Sequence, residues 1–187
     1  IQVASGTVTK RISVGPSPHG IAVNNEGSLI YVSSLEDGLV RVVEAPGMNI
    51  TGTIRVTKTG DAIRDLALSI DGSLLYALSA SSCKLTVIDN LTHAILETHN
   101  FLIEDRAQDC HIAVSPNGEK IAVTDTLQGQ LPMTINMIDG GTFEVLNTVS
   151  AAGATAPDFR ADGSSVYVPD FVLQGVHIID GGTSEVM

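Results

Sequence analysis

The sequence predicts an all-β molecule built from four-stranded antiparallel sheets, and three observations carry that prediction. One phrase occurs four times: an apolar strand, an acidic or amide residue with Gly, then a second apolar strand. The copies are GIAVNNEGSLIYVS at 20–33, DLALSIDGSLLYALS at 65–79, HIAVSPNGEKIAVT at 111–124 and DFRADGSSVYVPD at 158–170. Their turn glycines, Gly27, Gly72, Gly118 and Gly163, stand 45, 46 and 45 residues apart. A second phrase, an apolar pair closed by an acid, follows each copy: Val42-Val43-Glu44, Val87-Ile88-Asp89, Met137-Ile138-Asp139 and Ile178-Ile179-Asp180. A repeat of about 40–50 residues that holds only short strands is the signature of a β-propeller blade.

Each strand follows in order from this pattern. In the first blade, strand A is expected near Gly20–Asn24, strand B at Leu29–Ser33, strand C at Leu39–Glu44 and strand D at Thr51–Val56. The turn between A and B carries Asp71–Gly72, Asn117–Gly118 and Asp162–Gly163 in the later repeats. Glycine accepts the positive φ that such a tight turn requires. Strand B places Tyr31, Tyr76 and Tyr167 four residues past the turn glycine, with Ala122 in the third repeat. An aromatic at a fixed place in every blade fills the wedge between neighbouring sheets, so these tyrosines are expected in the core. The acids that close strand C are read as structural, because a carboxylate there accepts hydrogen bonds from the turn's own N–H groups. Pro169 cannot donate to a ladder and is expected at the end of its strand.

The domain reading is a single β-propeller domain over 1–187. Residues 1–14 form strand D of a preceding or closing blade, ending in a strand at Thr7–Val14 after Ile1-Gln2-Val3. The blades then span 18–57, 63–103, 110–149 and 155–187, the fourth incomplete and beginning its own strand D at Val186–Met187. Two closures fit. Either the N-terminal strand completes the fourth blade and closes a four-bladed ring, which hides exposed sheet edges, or the chain is a stretch of a larger propeller with missing blades on either side.

Composition limits the function. With 187 residues, 43% hydrophobic and 17% charged, the chain has enough apolar surface for a real core. Ten basic against 21 acidic residues give a net charge of −11, a field that repels nucleic acid. No apolar run is long enough to cross a bilayer, so membrane insertion is not expected. Cys83 and Cys110 are the only cysteines. A small disulfide-stapled domain would carry more, so core packing is expected to hold the fold, with the two cysteines as small, partly buried thiols. A Cys83–Cys110 bridge is the alternative.

Propeller geometry decides which residues meet. Strand A lines the central channel, and the D–A and B–C loops share one face around the channel mouth. Alignment on the turn glycines puts His19, Arg64, Cys110 and Thr155 at one level, Gly20, Asp65, His111 and Ala156 at the next, and Pro18, Ile63, Asp109 and Ala154 one step earlier. These positions vary from blade to blade, unlike those that build the fold. The B–C loops add Glu36, Asp37, Asp125 and Asp170 to the same face, and the long segments Leu102–Asp109 and Asp125–Pro132 border it. The candidate ligand-binding set is His19, Arg64, Asp65, Asp109, His111, Asp125 and Asp170, since a concave site with a few convergent polar groups is the default place for a ligand. His19, His111, Asp65 and Asp109 have the donor chemistry for a transition metal, and Asp65, Asp109, Asp125 and Asp170 that for calcium. Mutual pairing of the same groups is the bland alternative. No nucleophile elbow, phosphate loop or zinc motif occurs, and no cofactor is implied.

Pro18-His19-Gly20-Ile21-Ala22-Val23, followed past the turn by Leu29-Ile30-Tyr31-Val32-Ser33, resembles the YVTN repeat of β-propellers, as does Leu85-Thr86-Val87-Ile88-Asp89. The resemblance covers nearly the whole chain and departs at Ala122-Val123-Thr124 and Pro169. It implies a propeller of the kind seen in archaeal surface-layer proteins, periplasmic proteins, lactonase-like enzymes and amine-dehydrogenase subunits. The expectation is a non-catalytic binding or scaffold module in an extracytoplasmic compartment, periplasmic, secreted or at the cell surface. It would engage a protein or small-molecule ligand through the channel mouth, with a homo-oligomer as one way to complete the ring. The alternative is an enzyme or enzyme subunit with its site at that mouth.

Overall fold

The computed structural model describes residues 6–57, 62–101, 109–126 and 133–187. The expected strand end at Ile1–Val3 and most of the two long mouth segments, 102–108 and 127–132, lie outside the described residues. Among the described residues, fifteen strands form four sheets. The first sheet holds β1 (Pro18–Val23), β2 (Leu29–Ser34), β3 (Leu39–Glu44) and β4 (Asn49–Arg55). The second holds β5 (Ile63–Leu68), β6 (Leu74–Ser79), β7 (Leu85–Asp89) and β8 (Ile95–His99). The third holds β9 (Asp109–Val114), β10 (Lys120–Thr126), β11 (Met133–Asp139) and β12 (Val145–Ala151), and the fourth β13 (Asp158–Phe159), β14 (Ser165–Asp170) and β15 (Gly175–Asp180). Each sheet is an antiparallel meander in chain order, and no helix occurs among the described residues.

The four glycine turns are the same structure. Gly27, Gly72, Gly118 and Gly163 have φ of 65°, 71°, 74° and 72°. Each donates its N–H to the carbonyl three residues earlier, that of Asn24, Ser69, Ser115 or Arg160, at 2.8–2.9 Å. The turns between strands C and D repeat as well. Asp89, Asp139 and Asp180 each accept the N–H groups two and three residues on, plus a threonine hydroxyl, through Oδ1. These bonds hold all three carboxyls below the usual aspartate range. All four acids also accept the N–H four residues on through their main-chain carbonyls, as Glu44 does from Met48 at 2.7 Å.

Three apolar clusters lie between successive sheets. Tyr31, Val40, Val42 and Ile54 of the first sheet meet Ile63, Leu66, Leu75 and Ile88 of the second. Tyr76, Leu78, Leu85 and Val87 meet Ile112, Ile121 and Ile138 of the third. Ala122, Ile135 and Met137 meet Val166, Val168 and Ile179 of the fourth. The innermost strands stack in order, β1 on β5, β5 on β9 and β9 on β13.

Three expectations are corrected. Residues 8–14 run without ladder pairing, and Thr7 makes only an isolated bridge. A strand needs a neighbouring edge, and among the described residues the fourth sheet does not come round to supply one, so no closed four-bladed ring is seen. Tyr167 is not in the core but 38% exposed, since no other sheet of the described residues packs over it. The two cysteines are not thiols: Cys83 and Cys110 are joined in a disulfide, with Cα atoms 5.6 Å apart and both residues fully buried. Pro169 lies at the next-to-last position of β14, where its missing N–H costs one ladder bond at the rim.

Candidate functional site

The starts of β1, β5 and β9 come together as the alignment of repeats required. The approach of β1 to β5 is set by Gly20. A Cβ there would lie 2.8 Å from Ser33 Oγ, 2.9 Å from Arg64 O and 2.9 Å from Asp65 Cα, so only glycine lets the two strands close. Gly20 N–H donates to Ser33 Oγ at 2.8 Å. Beside it, His19 Nδ1 lies 2.9 Å from the Arg64 carbonyl, which fixes the exposed imidazole at the junction of the first two sheets.

Between the second and third sheets stands a charged network. Arg64 Nη2 meets Asp109 Oδ1 at 2.5 Å. His111 Nε2 lies 3.2 Å from the same Asp109 oxygen and its Nδ1 3.5 Å from Asp65 Oδ2. Asp65 is also a main-chain clip: its Oδ1 accepts Leu66 N–H at 2.9 Å and its Oδ2 accepts Ile112 N–H at 3.1 Å across to β9. The Cys83–Cys110 bridge pins the loop between β6 and β7 to the residue between Asp109 and His111. The structure thus gathers Arg64, Asp65, Asp109 and His111 into one group, with His19 alongside.

Asp125 and Asp170 stand one strand outward at the same end of their sheets, Asp125 opposite Cys110 in the β9–β10 ladder and Asp170 bridged to Ala154. Both are buried at the end of strand B, where their carboxylates bind main-chain N–H groups. Asp125 Oδ1 accepts Thr134 N–H at 2.5 Å, and burial pushes its carboxyl up against that pull. Asp170 Oδ1 accepts Val172 and Leu173 N–H at 3.0 and 2.8 Å, while Oδ2 meets Ala152 N–H at 3.0 Å and His177 Nε2 at 2.9 Å. Burial acts to raise the Asp170 carboxyl, but the donors Leu173, His177, Gly153 and Ala152 outweigh it and hold the group well below the usual range. Ser34 and Ser79 occupy the equivalent position in the first two sheets. Ser34 Oγ accepts the N–H groups of Glu36 and Asp37, and Ser79 Oγ that of Lys84. All four residues sit seven places after the turn glycine, a regularity visible in the sequence. Of the other loop acids, Asp37 forms a two-point ion pair with Arg41, at 2.8 and 2.5 Å, and Glu36 bonds Ser17.

Among the described residues, no group of three or more His, Cys, Asp or Glu side chains is placed to hold a metal ion. Sequence reasoning also missed an apolar tip on this face. Phe171, Val172 and Leu173, in the turn that Asp170 organises, are all exposed. Three large apolar residues in a row at a turn were the available signal.

Sheets of this kind, stacked in order on their innermost strands, define a β-propeller, and among the described residues they do not close into a ring. The comparisons agree on that class. The chain is 28% identical over 145 residues to the seven-bladed beta-propeller protein Rv1057 of Mycobacterium tuberculosis, a match covering 73% of this chain and 36% of that protein. Among solved structures, hydrazine synthase of Kuenenia stuttgartiensis aligns with a TM-score of 0.78 and 20% identity, over 95% of this chain and 55% of that one. The Cps50 (Swd1) beta-propeller domain of Myceliophteria thermophila aligns with a TM-score of 0.70 and 17% identity, over 96% and 56%. The chain therefore spans about a third of the curated relative and little more than half of the matched structures. No protein-family model matches it.

Proposed function

We propose that this chain is a non-catalytic binding or scaffold propeller of the YVTN type, an arc whose ring is completed by further sheets of the same repeat. It engages a protein partner through the face that carries the starts of β1, β5 and β9. The observation that carries this reading is the mutual pairing of the polar groups at that face. Arg64 pairs with Asp109, His111 lies between Asp109 and Asp65, and Asp65 also serves the backbone of two strands, while Arg64 Nε is buried without a hydrogen-bond partner among the described residues. Groups arranged to hold one another in place suit a rigid contact surface better than a reacting centre, which needs a group aimed at substrate. The exposed Phe171–Val172–Leu173 turn, held by Asp170 at the end of β14, supplies the apolar anchor that protein interfaces use. The disulfide fits an exported protein, because such bonds persist in oxidising compartments.

Metal analysis after exhaustive dialysis tests the reading. The expected content is far below one ion per chain, and stoichiometric metal that is lost on Asp109→Ala or His111→Ala would overturn it in favour of an enzyme or metal-dependent subunit.

A further inference from the structure

The sequence holds two Asn-x-Thr triplets, Asn49-Ile50-Thr51 and Asn90-Leu91-Thr92. Such a triplet, with no proline in the middle, is the acceptor of an N-linked glycan in an exported protein. Both lie at a turn between strands C and D, but the structure treats them in opposite ways. Asn90 is committed to the fold: its Nδ2 donates to Gly72 O at 2.9 Å and its Oδ1 is buried. Thr92 is committed as well, its hydroxyl donating to Asp89 Oδ1 at 2.7 Å. A sugar on the Asn90 nitrogen would push the neighbouring glycine turn away.

Asn49 is different. It is the exposed first residue of β4, the outermost strand of the first sheet. Glycine at 47 keeps its amide nitrogen clear, since a Cβ there would lie 2.7 Å from Asn49 Nδ2. Thr51 is exposed too, its hydroxyl making only a long 3.4 Å contact to Val42 O. The exposure belongs to the place in the blade. Ala94 and Glu144 stand, like Asn49, five residues after the acid that closes strand C, and both are exposed in sheets flanked by a sheet on either side.

Resting on the exported reading above, we propose that Asn49 carries an N-linked glycan and that Asn90 does not. In the transfer, Asn49 Nδ2 attacks the anomeric carbon of a lipid-linked oligosaccharide held by an oligosaccharyltransferase. The N–C bond forms, the C–O bond to the lipid's phosphate breaks, the phosphate leaves with the electron pair, and one Nδ2 proton passes to a base of the enzyme. The C–D turns lie at the opposite end of the strands from the channel mouth, so the sugar leaves the partner face open. It also screens Ile50, 44% exposed, on an outer strand edge of the kind that otherwise invites pairing with other chains.

Translation of the chain behind a cleavable signal sequence into endoplasmic-reticulum microsomes tests this. The protease-resistant fraction should gain the mass of one glycan, lost again on treatment with peptide N-glycosidase. That enzyme leaves aspartate where the carrier asparagine stood, and peptide mapping should find the change at position 49 and not at 90. Asn49→Gln and Thr51→Ala should each abolish the mass shift, and Thr51→Ser should keep it. A protease-resistant fraction without glycan, or with glycan at Asn90, overturns the assignment. Free thiols at Cys83 and Cys110 in a glycosylated, protease-resistant fraction overturn the oxidising-compartment argument and leave the acceptor site standing.

Discussion

Removing the Cys83–Cys110 bridge is the perturbation with the most calculable consequence. The two cysteines are 27 residues apart in sequence and join the β6–β7 loop to β9, so the bond ties the second sheet to the third. Constraining a loop of that length removes on the order of 12 cal/mol/K from the unfolded chain, or ~3.5 kcal/mol at 25 °C. Both residues are fully buried in the cluster between those sheets. Replacing both with Ala therefore also deletes packed sulfur, and the expected loss in the double variant is about 4–5 kcal/mol. With a urea slope of about 2 kcal/mol/M, the midpoint should fall by ~2 M or more, read by circular dichroism and tyrosine fluorescence on the same samples. Thiol titration of the unfolded wild type without reductant should find no free sulfhydryl. Two free thiols per chain, or a midpoint shift below ~0.5 M, would refute the reasoning.

The remaining predictions follow from the same geometry. Tyr76→Ala should cost about 3–5 kcal/mol as a core deletion, while Tyr167→Ala, at the same register position but 38% exposed, should cost under ~1 kcal/mol; equal losses in urea melts would contradict that difference in burial. Gly20→Val should destabilise by about 2 kcal/mol or more, because its Cβ meets main-chain atoms of Arg64 and Asp65 that cannot rotate away. Asp170 and Asp125 should respond to pH with opposite signs. The folded-state pKa of Asp170 is lowered, so its stabilisation is complete above the ordinary value of 3.8 and is lost as pH falls through the lowered one. Asp125 is raised, so its ionised form carries a penalty at neutral pH that protonation relieves as pH falls through the raised value. Asp170→Asn should therefore lower the urea midpoint at pH 7 by about 1–3 kcal/mol equivalent and flatten the acid limb, whereas Asp125→Asn should raise it; parallel shifts would show the two carboxyls are not as placed. Arg64→Ala should cost at most about 1 kcal/mol, since its ion pair with Asp109 is partly exposed. Outright unfolding would assign Arg64 to the scaffold.

How much of this was legible in the sequence depended on whether the information was local. Gly27, Gly72, Gly118 and Gly163 announce their turns because positive φ is a local demand, and the strands on either side follow from apolar spacing. The meeting of Arg64, Asp65, Asp109 and His111 was legible one level up, since equal positions in successive repeats must be neighbours. Asp125 and Asp170 were placed at the mouth by the position of the B–C loops, yet Ser34 and Ser79 in the same slot point to turn building, a comparison between repeats that reading for ligand groups passes over. The strand expected at Thr7–Val14 failed for a physical reason: apolar alternation makes a segment able to pair, but another edge decides whether it does. Tyr167 failed likewise, because burial belongs to the neighbour as much as to the residue. The disulfide needed knowledge that the β6–β7 loop touches the next sheet's first strand, which no spacing along the chain contains.

The stacking of β1 on β5, β5 on β9 and β9 on β13 among the described residues has a mechanical consequence. Each sheet leans only on those beside it, so cohesion is summed pairwise along a row, as in a solenoid. Among the described residues the second and third sheets are clamped on both sides and stapled together, and the first and fourth on one. Heat or denaturant should unzip the row from its two ends inward, so amide hydrogens of β6 and β10 exchange last and those of β14 and β15 go early.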